Sequence, residues 1–459
     1  IFFVPIHRKT FLAQDRRPFL LLFTVKQQQK ERDAMSMDFT YDVAKQISAS
    51  VSLELKGSRV LKSTQQSSAW FDRDEIQIGN LLGSGGFANV YEIKGFACKN
   101  TAYSPEEKSR RNRVVEEMTT TTTRKKKRDK TKSPSSRYVV KTIRPSKQVV
   151  GPDGNFDRFV DAGHGLVMEA HFLSVLQHPH ILSVRGLPSQ GCMAFRQGFD
   201  GFFILFDRLE STLDERIVEW SKQMAQYKTS VMERINQPGM KGLLFTGRLK
   251  VARDVASALA YLHENHVVYR DLKPANIGFD MEGKVKLFDF GLARELPRAL
   301  SSRGTTEEVF FHMTAQVGTP RYMSPEVSNG APYNEKTDVY SLSLVMWEIL
   351  ALVRPFCEWS KQDEIRKFVC QDGERPNMEE SWPEEIKAVM KLAWDADPRQ
   401  RPTMAEVKRA LDGECRLLRR NSLPVGMKLS SRTLMQMSTT TTMGSSRRSL
   451  TPTERQRHQ

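Results

Sequence analysis

Two polar segments near the middle of the chain constrain its fold more strongly than any other feature. The first runs from Tyr269 to Asn276 and contains Asp271, and the second is Asp289-Phe290-Gly291, directly after the apolar pair Leu287-Phe288. Chain order, strand context and the spacing within the first segment must all agree for these side chains to meet. The pattern therefore predicts a loop and a following strand that bring Asp271, Asn276 and Asp289 together.

These three side chains are of the types that phosphoryl transfer requires. A carboxylate accepts or orients the proton of a hydroxyl group, and oxygen ligands hold Mg²⁺ against the phosphates. Asp271 fits the first role, and Asn276 and Asp289 fit the second. The two segments thus predict an enzyme that transfers a phosphoryl group with Mg²⁺ bound.

A glycine-rich segment lies upstream, between the apolar Leu81-Leu82 and the strand-like Val90-Tyr91. Glycines let backbone N–H groups approach phosphate oxygens, and the strand-turn-strand context differs from a P-loop, which opens a helix. Taken alone, the segment is equally well interpreted as an ordinary hairpin turn. Its candidate nucleotide-binding residues are Gly83, Ser84, Gly85, Gly86, Phe87 and Val90.

Lys141 follows Tyr138-Val139-Val140 in a predicted strand and is flanked by apolar residues. A lysine in such surroundings has to pair with an opposite charge or lose its own. Glu169, in the helical stretch Gly165 to Leu176, is an available partner. An ordinary helix carboxylate is an equally good interpretation of Glu169 taken by itself.

With these segments in this order, the sequence resembles the eukaryotic protein kinase family over roughly Asp74 to Arg416. The resemblance implies an α+β, bilobal protein kinase fold, with a small antiparallel β-sheet N-lobe carrying a helix C and a larger α-helical C-lobe. It also implies ATP and Mg²⁺ as cofactors and protein substrates as partners, in intracellular signalling. A pseudokinase-like scaffold or binding module is the alternative, although it would be expected to lack Lys141, Asp271 or Asp289.

The resemblance and the local composition divide the chain into three regions. Residues 1–73 are expected to be a weakly structured extension in which Tyr41 to Leu55 could hold a short helix. Residues 74–416 are expected to be the kinase domain, with the N-lobe at 74–207, a basic insert at about 104–137, and the C-lobe at 208–416. A basic tail rich in serine and threonine, at 417–459, is expected to be disordered.

The resemblance also implies a role for each matching position. Lys141 is similar to the strand lysine that holds the α- and β-phosphates, with Glu169 as its ion-pair partner. Asp271 is similar to the catalytic base and Lys273 to the γ-phosphate contact, and Thr319 would face the substrate hydroxyl. The metal ligands would be Asn276 and Asp289, and the nucleotide pocket would also be lined by Val139, Phe206, Asp207, Leu209 and Gly278.

Further positions bear on the substrate class and on the scaffold. Lys273 and the Gly318-Thr319-x-x-Tyr322 arrangement are similar to serine/threonine-directed members, and Trp394 to Pro398 is similar to the tyrosine-kinase-like group among them. Asp338 is expected to brace the catalytic loop, and a buried ion pair is expected between Glu326 and Arg401.

Some positions depart from the family pattern. Tyr269 replaces the usual histidine, and we expect it to pack on Phe290 as an aromatic pair. In the adenine pocket, Val139 stands where alanine is usual and Gly278 where leucine is usual. We expect these volumes to compensate, with Phe279 helping to close the floor, because interiors do not leave methyl-sized voids cheaply.

Hydroxyl residues between Asp289 and Glu326 are candidates for regulatory phosphorylation. Phosphate on this segment would pair with Arg270 in a charge-assisted contact. We expect Thr314 to be the site, and an unmodified loop is the alternative. The other candidates are Ser301, Ser302, Thr305 and Thr306.

The basic excess of the chain, a net charge of +16, is concentrated in the block Arg124 to Lys132 and in the tail from about Arg419. The block could bind an import receptor or an acidic partner, and a merely solvated insert is the alternative. Nucleic acid is not expected as a partner, because both stretches nearly lack aromatic residues.

The cysteines and apolar runs bear on the compartment. The 5 cysteines are scattered and form no C-x-x-C pair, which favours a reducing compartment. The apolar run Pro18 to Val25 is far short of the roughly 20 residues that a membrane helix needs, so no membrane span is predicted. We expect a cytoplasmic location, with the nucleus as the alternative, and translation starting at Met35 or Met37.

Overall fold

The computed structural model describes residues 37–61, 68–98, 103–126, 136–145, 156–229, 238–297 and 308–422. These residues form a smaller lobe built around a sheet and a larger lobe built from helices. The α+β, two-lobed architecture predicted from the sequence is therefore confirmed.

The first lobe contains a 6-stranded sheet with the order β1-β5-β6-β4-β3-β2. Neighbouring strands are antiparallel, except that β1 runs parallel to β5. Strand β1 lies upstream of Asp74, so the sheet includes residues that were assigned to the N-terminal extension. The strands are β1 (Ala69–Phe71), β2 (Ile76–Ser84), β3 (Ala88–Phe96), β4 (Tyr138–Ile143), β5 (Val184–Pro188) and β6 (Phe203–Asp207).

Both faces of this sheet are covered by helices. Side chains alternate between the faces of a strand, and on β4 Val139 and Ile143 join the core that contains α3 (Asp157–Val175). Val140, on the opposite face, joins a second core with α2 (Pro105–Lys126). The alternation places Lys141 on the face of α3.

Helix α2 (Pro105–Lys126) makes up most of the predicted basic insert, which was expected only to interrupt the strands. Val114 and Met118 of this helix are buried against the sheet, and Arg111 pairs with the fully buried Glu75 at 2.7 Å. Residues 127–135 of the insert, which include most of the basic block, lie outside the described residues. The insert is thus in part a structural element of the first lobe.

Helix α1 (Met37–Gly57) lies in the predicted N-terminal extension. Its apolar side chains Val43, Ala44, Ile47 and Val51 are buried in the same core as α3. Gly163 of α3 lets the two helices approach closely, because a Cβ there would collide with Ile47. The possibility of a helix at Tyr41 to Leu55 is confirmed.

The second lobe is built on α5 and α7, which pack on each other and against α9 and α10. Helix α10 continues beyond residue 416, the predicted end of the domain, and the tail from residue 423 lies outside the described residues. The helices are α4 (Leu213–Thr229), α5 (Pro238–Glu264), α6 (Pro325–Ser328), α7 (Lys336–Ala351), α8 (Gln362–Ile365), α9 (Glu384–Ala393) and α10 (Met404–Ser422), with a π-helical turn at Arg366–Gln371.

Short strands at the top of the second lobe position the polar segments. Strand β8 pairs with β11, and β9 pairs with both β7 and β10. No helix in the described ranges is both long and apolar enough to cross a lipid bilayer. The strands are β7 (Ser211–Thr212), β8 (Val267–Val268), β9 (Ile277–Phe279), β10 (Val285–Leu287) and β11 (Arg294–Glu295).

Candidate active site

The loop between β8 and β9, which carries Asp271, is held by one buried carboxylate. Asp338 of α7 accepts the backbone N–H groups of Tyr269 at 2.8 Å and of Arg270 at 2.9 Å. Arg270 has a φ of 69°, a conformation that costs energy in a residue with a side chain. The two hydrogen bonds stabilise that conformation, and the bracing predicted for Asp338 is confirmed.

Asp271 lies at the centre of a hydrogen-bonded cluster of predicted site residues. Its Oδ1 accepts a hydrogen bond from Thr319 at 2.8 Å, and its Oδ2 accepts from Lys273 at 2.7 Å and from Asn276 at 3.0 Å. Lys273 also donates to Oγ1 of Thr319 at 2.9 Å. The contacts orient the carboxylate and join the catalytic loop to the segment that precedes α6.

Lys141 lies between two carboxylates from different elements. Its Nζ is 2.6 Å from Oε2 of Glu169, on α3, and 2.9 Å from Oδ1 of Asp289, after β10. The structure therefore forms the predicted pair of Lys141 with Glu169 and adds Asp289 to it. A cation in this place can bind phosphate oxygens while keeping contact with both lobes.

The charges in this group depend on one another. Burial opposes the charge on Lys141, but Asp289 and Glu169 outweigh it and raise the pKa of Lys141 above its ordinary value. Lys141 in turn lowers the pKa of Asp289. Burial raises the pKa of Glu169 to about 7, against the attraction of Lys141. As the pH falls to about 7, Glu169 is thus the member of this group that gains a proton.

Tyr269 and Phe290 form the aromatic pair that the sequence predicted. Both rings are fully buried, and their centroids lie 5.2 Å apart in an edge-to-face arrangement. The hydroxyl of Tyr269 donates to the carbonyl of Phe288. The tyrosine therefore links the catalytic loop to the Asp289 segment by both an apolar and a polar contact.

The glycine-rich segment forms the turn between β2 and β3, as its strand context predicted. Ser84 pairs with Asn89, and the N–H of Gly85 donates to the carbonyl of Ala88 at 2.8 Å. A Cβ at Gly83 or Gly86 would meet nothing within 4 Å. The exposed backbone here is open to a close approach by phosphate oxygens. Of the other candidates, Phe87 is exposed at the tip and Val90 packs against the main core.

The remaining candidates for the nucleotide pocket lie on β4 and β6 and in the segment that follows β6. Val139 pairs with Phe206, and both are buried on the same face of the sheet as Lys141. Asp207 binds Arg185 through its carboxylate at 2.6 Å. The Asp207 carboxylate is thus paired within the first lobe, and its contact with a nucleotide stays a prediction.

Gly278 lies on β9 beside Leu209. A Cβ at position 278 would lie 2.5 Å from Cδ1 of Leu209 and 3.3 Å from Cε1 of Phe288. The side chain of Leu209 thus takes the volume that a larger residue at 278 would need. The ring of Phe279 lies beneath the guanidinium of Arg216 at 5.2 Å, and its part in closing the floor stays a prediction.

The segment around Thr319 is fixed by a glycine and by an ion pair. Gly318 has a φ of 95°, and a Cβ there would collide with the carbonyl oxygen of Arg270. Farther on, Arg401 donates to both carboxylate oxygens of Glu326 at 2.7 and 2.8 Å, and both side chains are buried. The predicted pairing of Glu326 with Arg401 is confirmed.

Thr314 is connected to Arg270 through one tyrosine. The hydroxyl of Tyr333 donates to the carbonyl of Thr314 at 2.8 Å and accepts from Arg270 at 3.0 Å. Thr314 is exposed, so its hydroxyl is accessible for modification. The other phosphorylation candidates, Ser301, Ser302, Thr305 and Thr306, lie outside the described residues.

The oxygen donors of the site suit a hard divalent cation. Magnesium is usually held by one or two carboxylates together with substrate phosphates rather than by an all-protein cage. Asn276 and Asp289 are linked through the Phe288 N–H, which donates to the Asn276 carbonyl at 3.1 Å, and the Asp289 side chain is 43% exposed. In the described part of the chain no cluster of three His, Cys, Asp or Glu residues could hold a metal alone. Both observations fit a cation bound together with a nucleotide.

Two contacts at the edge of this site were not predicted from the sequence. Tyr333, which links Arg270 to Thr314, was not predicted. Neither was the approach of Glu54 to Arg294, whose side chains lie 3.2 Å apart. Neither residue belongs to a recognisable motif, so no local signal could have identified them.

Comparison with protein families gives an independent result. The model of the protein kinase domain matches residues 127–410. The match begins downstream of the glycine-rich turn, but strands β2 and β3 belong to the same sheet as the matched strands. The structure therefore extends the domain upstream of the matched residues.

Curated relatives are similar over parts of the chain. A probable serine/threonine-protein kinase of Dictyostelium discoideum is 29% identical over 269 residues, which are 59% of this chain and 14% of that protein. The dual specificity protein kinase shkC of the same organism is 35% identical over 36% of this chain and 31% of that protein. The serine/threonine-protein kinase STY17 of Arabidopsis thaliana is 36% identical over 35% of this chain and 26% of that protein. The chain thus spans less than a third of each of these relatives.

Proposed function

The chain belongs to the protein kinase family, and on that premise we propose that it is an ATP-dependent serine/threonine protein kinase. One observation carries the proposal. Asp271 is held by Thr319, Lys273 and Asn276, while Lys141 joins Glu169 to Asp289 across the two lobes. Such an arrangement can supply both a base for an acceptor hydroxyl and a cation for phosphate oxygens.

Each side chain has a distinct part in the proposed reaction. Lys141 binds the α- and β-phosphates of ATP, and Glu169 holds Lys141 in place. Asp271 orients the acceptor hydroxyl and takes its proton, Thr319 lies next to that hydroxyl, and Lys273 contacts the γ-phosphate. Because little covalent chemistry is required of the protein, positioning and charge stabilisation supply most of the rate.

Asn276 and Asp289 would hold the metal ion, which we propose to be Mg²⁺. When bound, it neutralises charge on the β- and γ-phosphates. Lys141 keeps Asp289 ionised by lowering the pKa of its carboxyl. The chain therefore has an anionic oxygen donor ready at the pH of the cell.

The protein substrate would bind next to Lys273 and Thr319. A cleft of about 530 Å³ opens there, between α4 and the end of α7. Val218 and Leu352 are among its lining residues, together with Glu348. We propose that residues flanking the acceptor hydroxyl occupy this cleft.

Serine and threonine are the proposed acceptors because of Lys273 and of the Gly318-Thr319-x-x-Tyr322 arrangement. Relatives such as STY17 are named as serine/threonine kinases, whereas shkC is named as a dual specificity kinase. Phosphoamino-acid analysis of the product distinguishes these two substrate ranges for this chain.

We also propose a location and a partner. Cytoplasm or nucleus is proposed because the described cysteines are all free thiols, which suits a reducing compartment. The basic block Arg124 to Lys132 is proposed to contact an import receptor or an acidic partner. An unchanged distribution after its replacement by alanine would contradict the import role.

The test is incorporation of labelled phosphate from MgATP into the protein and into a generic basic substrate. We expect metal-dependent labelling of serine and threonine in the wild type, and loss of nearly all of it in Asp271→Asn and Asp289→Asn. Asp363→Asn, at an exposed position, is the matched control and should behave as the wild type. Nucleotide binding without labelling in any variant would instead favour the pseudokinase-like scaffold.

A further inference from the structure

Residues of the N-terminal segment contact the helix that carries Glu169 and the strand that follows Asp289. Oε2 of Glu54, near the end of α1, is 3.0 Å from Nε2 of His164 on α3. Oε1 of the same side chain is 3.2 Å from Nε of Arg294 on β11. One carboxylate therefore connects the helix that carries Glu169 with the strand that follows Asp289.

A second set of contacts follows directly after α1. Glu295 accepts hydrogen bonds from the hydroxyl of Ser58 at 2.5 Å, from the backbone N–H of Arg59 at 2.9 Å and from the N–H of Val60 at 3.3 Å. The guanidinium of Arg59 donates to the carboxylate of Glu295 at 3.1 Å and to the carbonyl of Leu296 at 3.2 Å. Both residues of β11 are thus bound by the N-terminal segment.

Strand β11 has a short ladder of its own. It pairs with β8 through Arg294 and Glu295, opposite Val268 and Val267, and the N–H of the next residue, Leu296, donates to the carbonyl of His266 at 2.8 Å. Ala293 and Leu296, on either side of the strand, are buried. The bonds from the N-terminal segment to Glu295 add to these contacts.

The charges around Glu54 favour this arrangement. Burial lowers the pKa of Arg294, and the positive charge of Arg270 adds to this effect while Glu54 opposes it. Burial opposes the charge of Glu54, but His164, Arg294 and Arg270 together lower its pKa below the ordinary value. An ionised Glu54 thus offsets the positive charges of Arg294 and Arg270, and Nε2 of His164 lies 3.0 Å from the same carboxylate.

Helix α1 is itself fixed to α3 by apolar packing. Ile47 lies against Gly163 and Phe195, and Val43 and Val51 are buried on the same side. Helix α1 is therefore held firmly against α3, so a change in the polar contacts of α1 can change the position of α3. A flexible chain end could not position two elements relative to one another.

We propose that an N-terminal clamp, consisting of Glu54, Ser58, Arg59 and Val60, holds α3 and β11 in the relative position in which Glu169 and Asp289 both reach Lys141. The clamp residues are positioning residues, since none of them touches the reacting atoms. The inference rests on the proposed kinase activity for its kinetic consequence, but its structural part does not depend on turnover.

The experiment compares Glu54→Gln with Asp42→Asn in the full chain. Both changes remove one negative charge from α1, and Asp42 is exposed. We expect Glu54→Gln to lower kcat by about tenfold or more with little change in the KM for ATP, because small misplacements of reacting groups cost up to about 10²-fold. The Asp42→Asn protein should match the wild type.

Amide hydrogen exchange on the same proteins supplies the second readout. We expect faster exchange at Arg294–Leu296 and in α3 for Glu54→Gln alone. If the Glu54 variant does not fold, Arg59→Ala takes its place, because it keeps the backbone bonds to Glu295.

The outcomes separate the two proposals. An inactive wild type whose β11 and α3 still loosen in Glu54→Gln would defeat the kinase proposal and support the clamp. An active wild type with Glu54→Gln and Asp42→Asn alike in kcat and in exchange would overturn the clamp alone.

Discussion

The side chain of Leu209 fills the space beside Gly278. A Cβ added at position 278 would lie 2.5 Å from Cδ1 of Leu209, so the two positions share one volume. Because protein interiors are closely packed, a large side chain fits at position 209 or at position 278, but not at both.

Gly278→Leu should therefore weaken nucleotide binding and stability. Overpacking of this kind costs about 1–3 kcal/mol. We expect a corresponding fall in the free energy of unfolding, measured by denaturant titration, and a higher Kd for ATP. The double variant Gly278→Leu with Leu209→Ala should recover most of both losses, since the total volume is restored. Additive losses in the double variant would show that the two side chains do not compete.

Gly318→Ala should reduce phosphate transfer strongly. A side chain at this φ of 95° is strained, and its Cβ would collide with the carbonyl of Arg270, next to Asp271. Backbone strain alone costs of order 1–3 kcal/mol. Gly283→Ala is the control, because Gly283 has a φ of 76° with nothing within 4 Å of its Cβ. If both variants lose the same small amount of activity, contact with the catalytic loop is not limiting.

Glu169 should make both activity and stability depend on pH near neutrality. Its pKa is raised from 4.5 to about 7, so its protonated form contributes stability that is fully present below 4.5 and lost as the pH rises through 7. We expect the free energy of unfolding of the wild type to fall relative to that of Glu169→Gln over this window. The activity should change in the opposite direction, because only ionised Glu169 pairs with Lys141. A wild-type rate of phosphate transfer that stays constant between about pH 6 and 8 would contradict this assignment.

Breaking the pair of Arg401 with Glu326 should destabilise the second lobe. Both side chains are buried, and removing one partner of a buried ion pair costs about 3–5 kcal/mol. We expect Arg401→Ala to lower the free energy of unfolding by this amount. Arg399→Ala, at a side chain that is 66% exposed, should change it by no more than about 0.5 kcal/mol. Equal effects in the two variants would show that the ion pair does not stabilise the folded protein.

Phosphorylation of Thr314 should increase activity. Its carbonyl is already linked to Arg270 through the hydroxyl of Tyr333, and a phosphate nearby could form a charge-assisted contact with Arg270. Mass spectrometry of active protein should find phosphate on Thr314, and Thr314→Ala should lower activity more than Thr305→Ala. Active protein with Thr314 wholly unmodified would refute the proposal.

Much of the site could be predicted because its parts are close in sequence. Asp271, Lys273 and Asn276 lie in one short loop, and the turn that follows brings Asp289 near them. Their spacing is therefore a local property, which a motif can record. The pairing of Lys141 with Glu169 was predicted from the need of a buried cation for a counter-charge, although the participation of Asp289 in the pair was not.

Other features depend on how distant elements pack, and no local pattern records them. The side chain of Leu209 lies beside Gly278, because the segment after β6 is bound to β9 by the N–H of Glu210, which donates to the carbonyl of Phe279 at 2.8 Å. Helix α2 covers the outer face of the sheet, although its composition is typical of a solvated insert.

The residue types, their order and the chemistry available to them were determined by the sequence alone. Only the tertiary structure decided that Glu54 meets Arg294 and that Ser58 donates to Glu295, a residue 237 positions away. Contacts of that kind arise from the apolar packing of α1 on α3, which many sequences could satisfy. The polar partners that such packing brings together can be identified only when the packed positions are known.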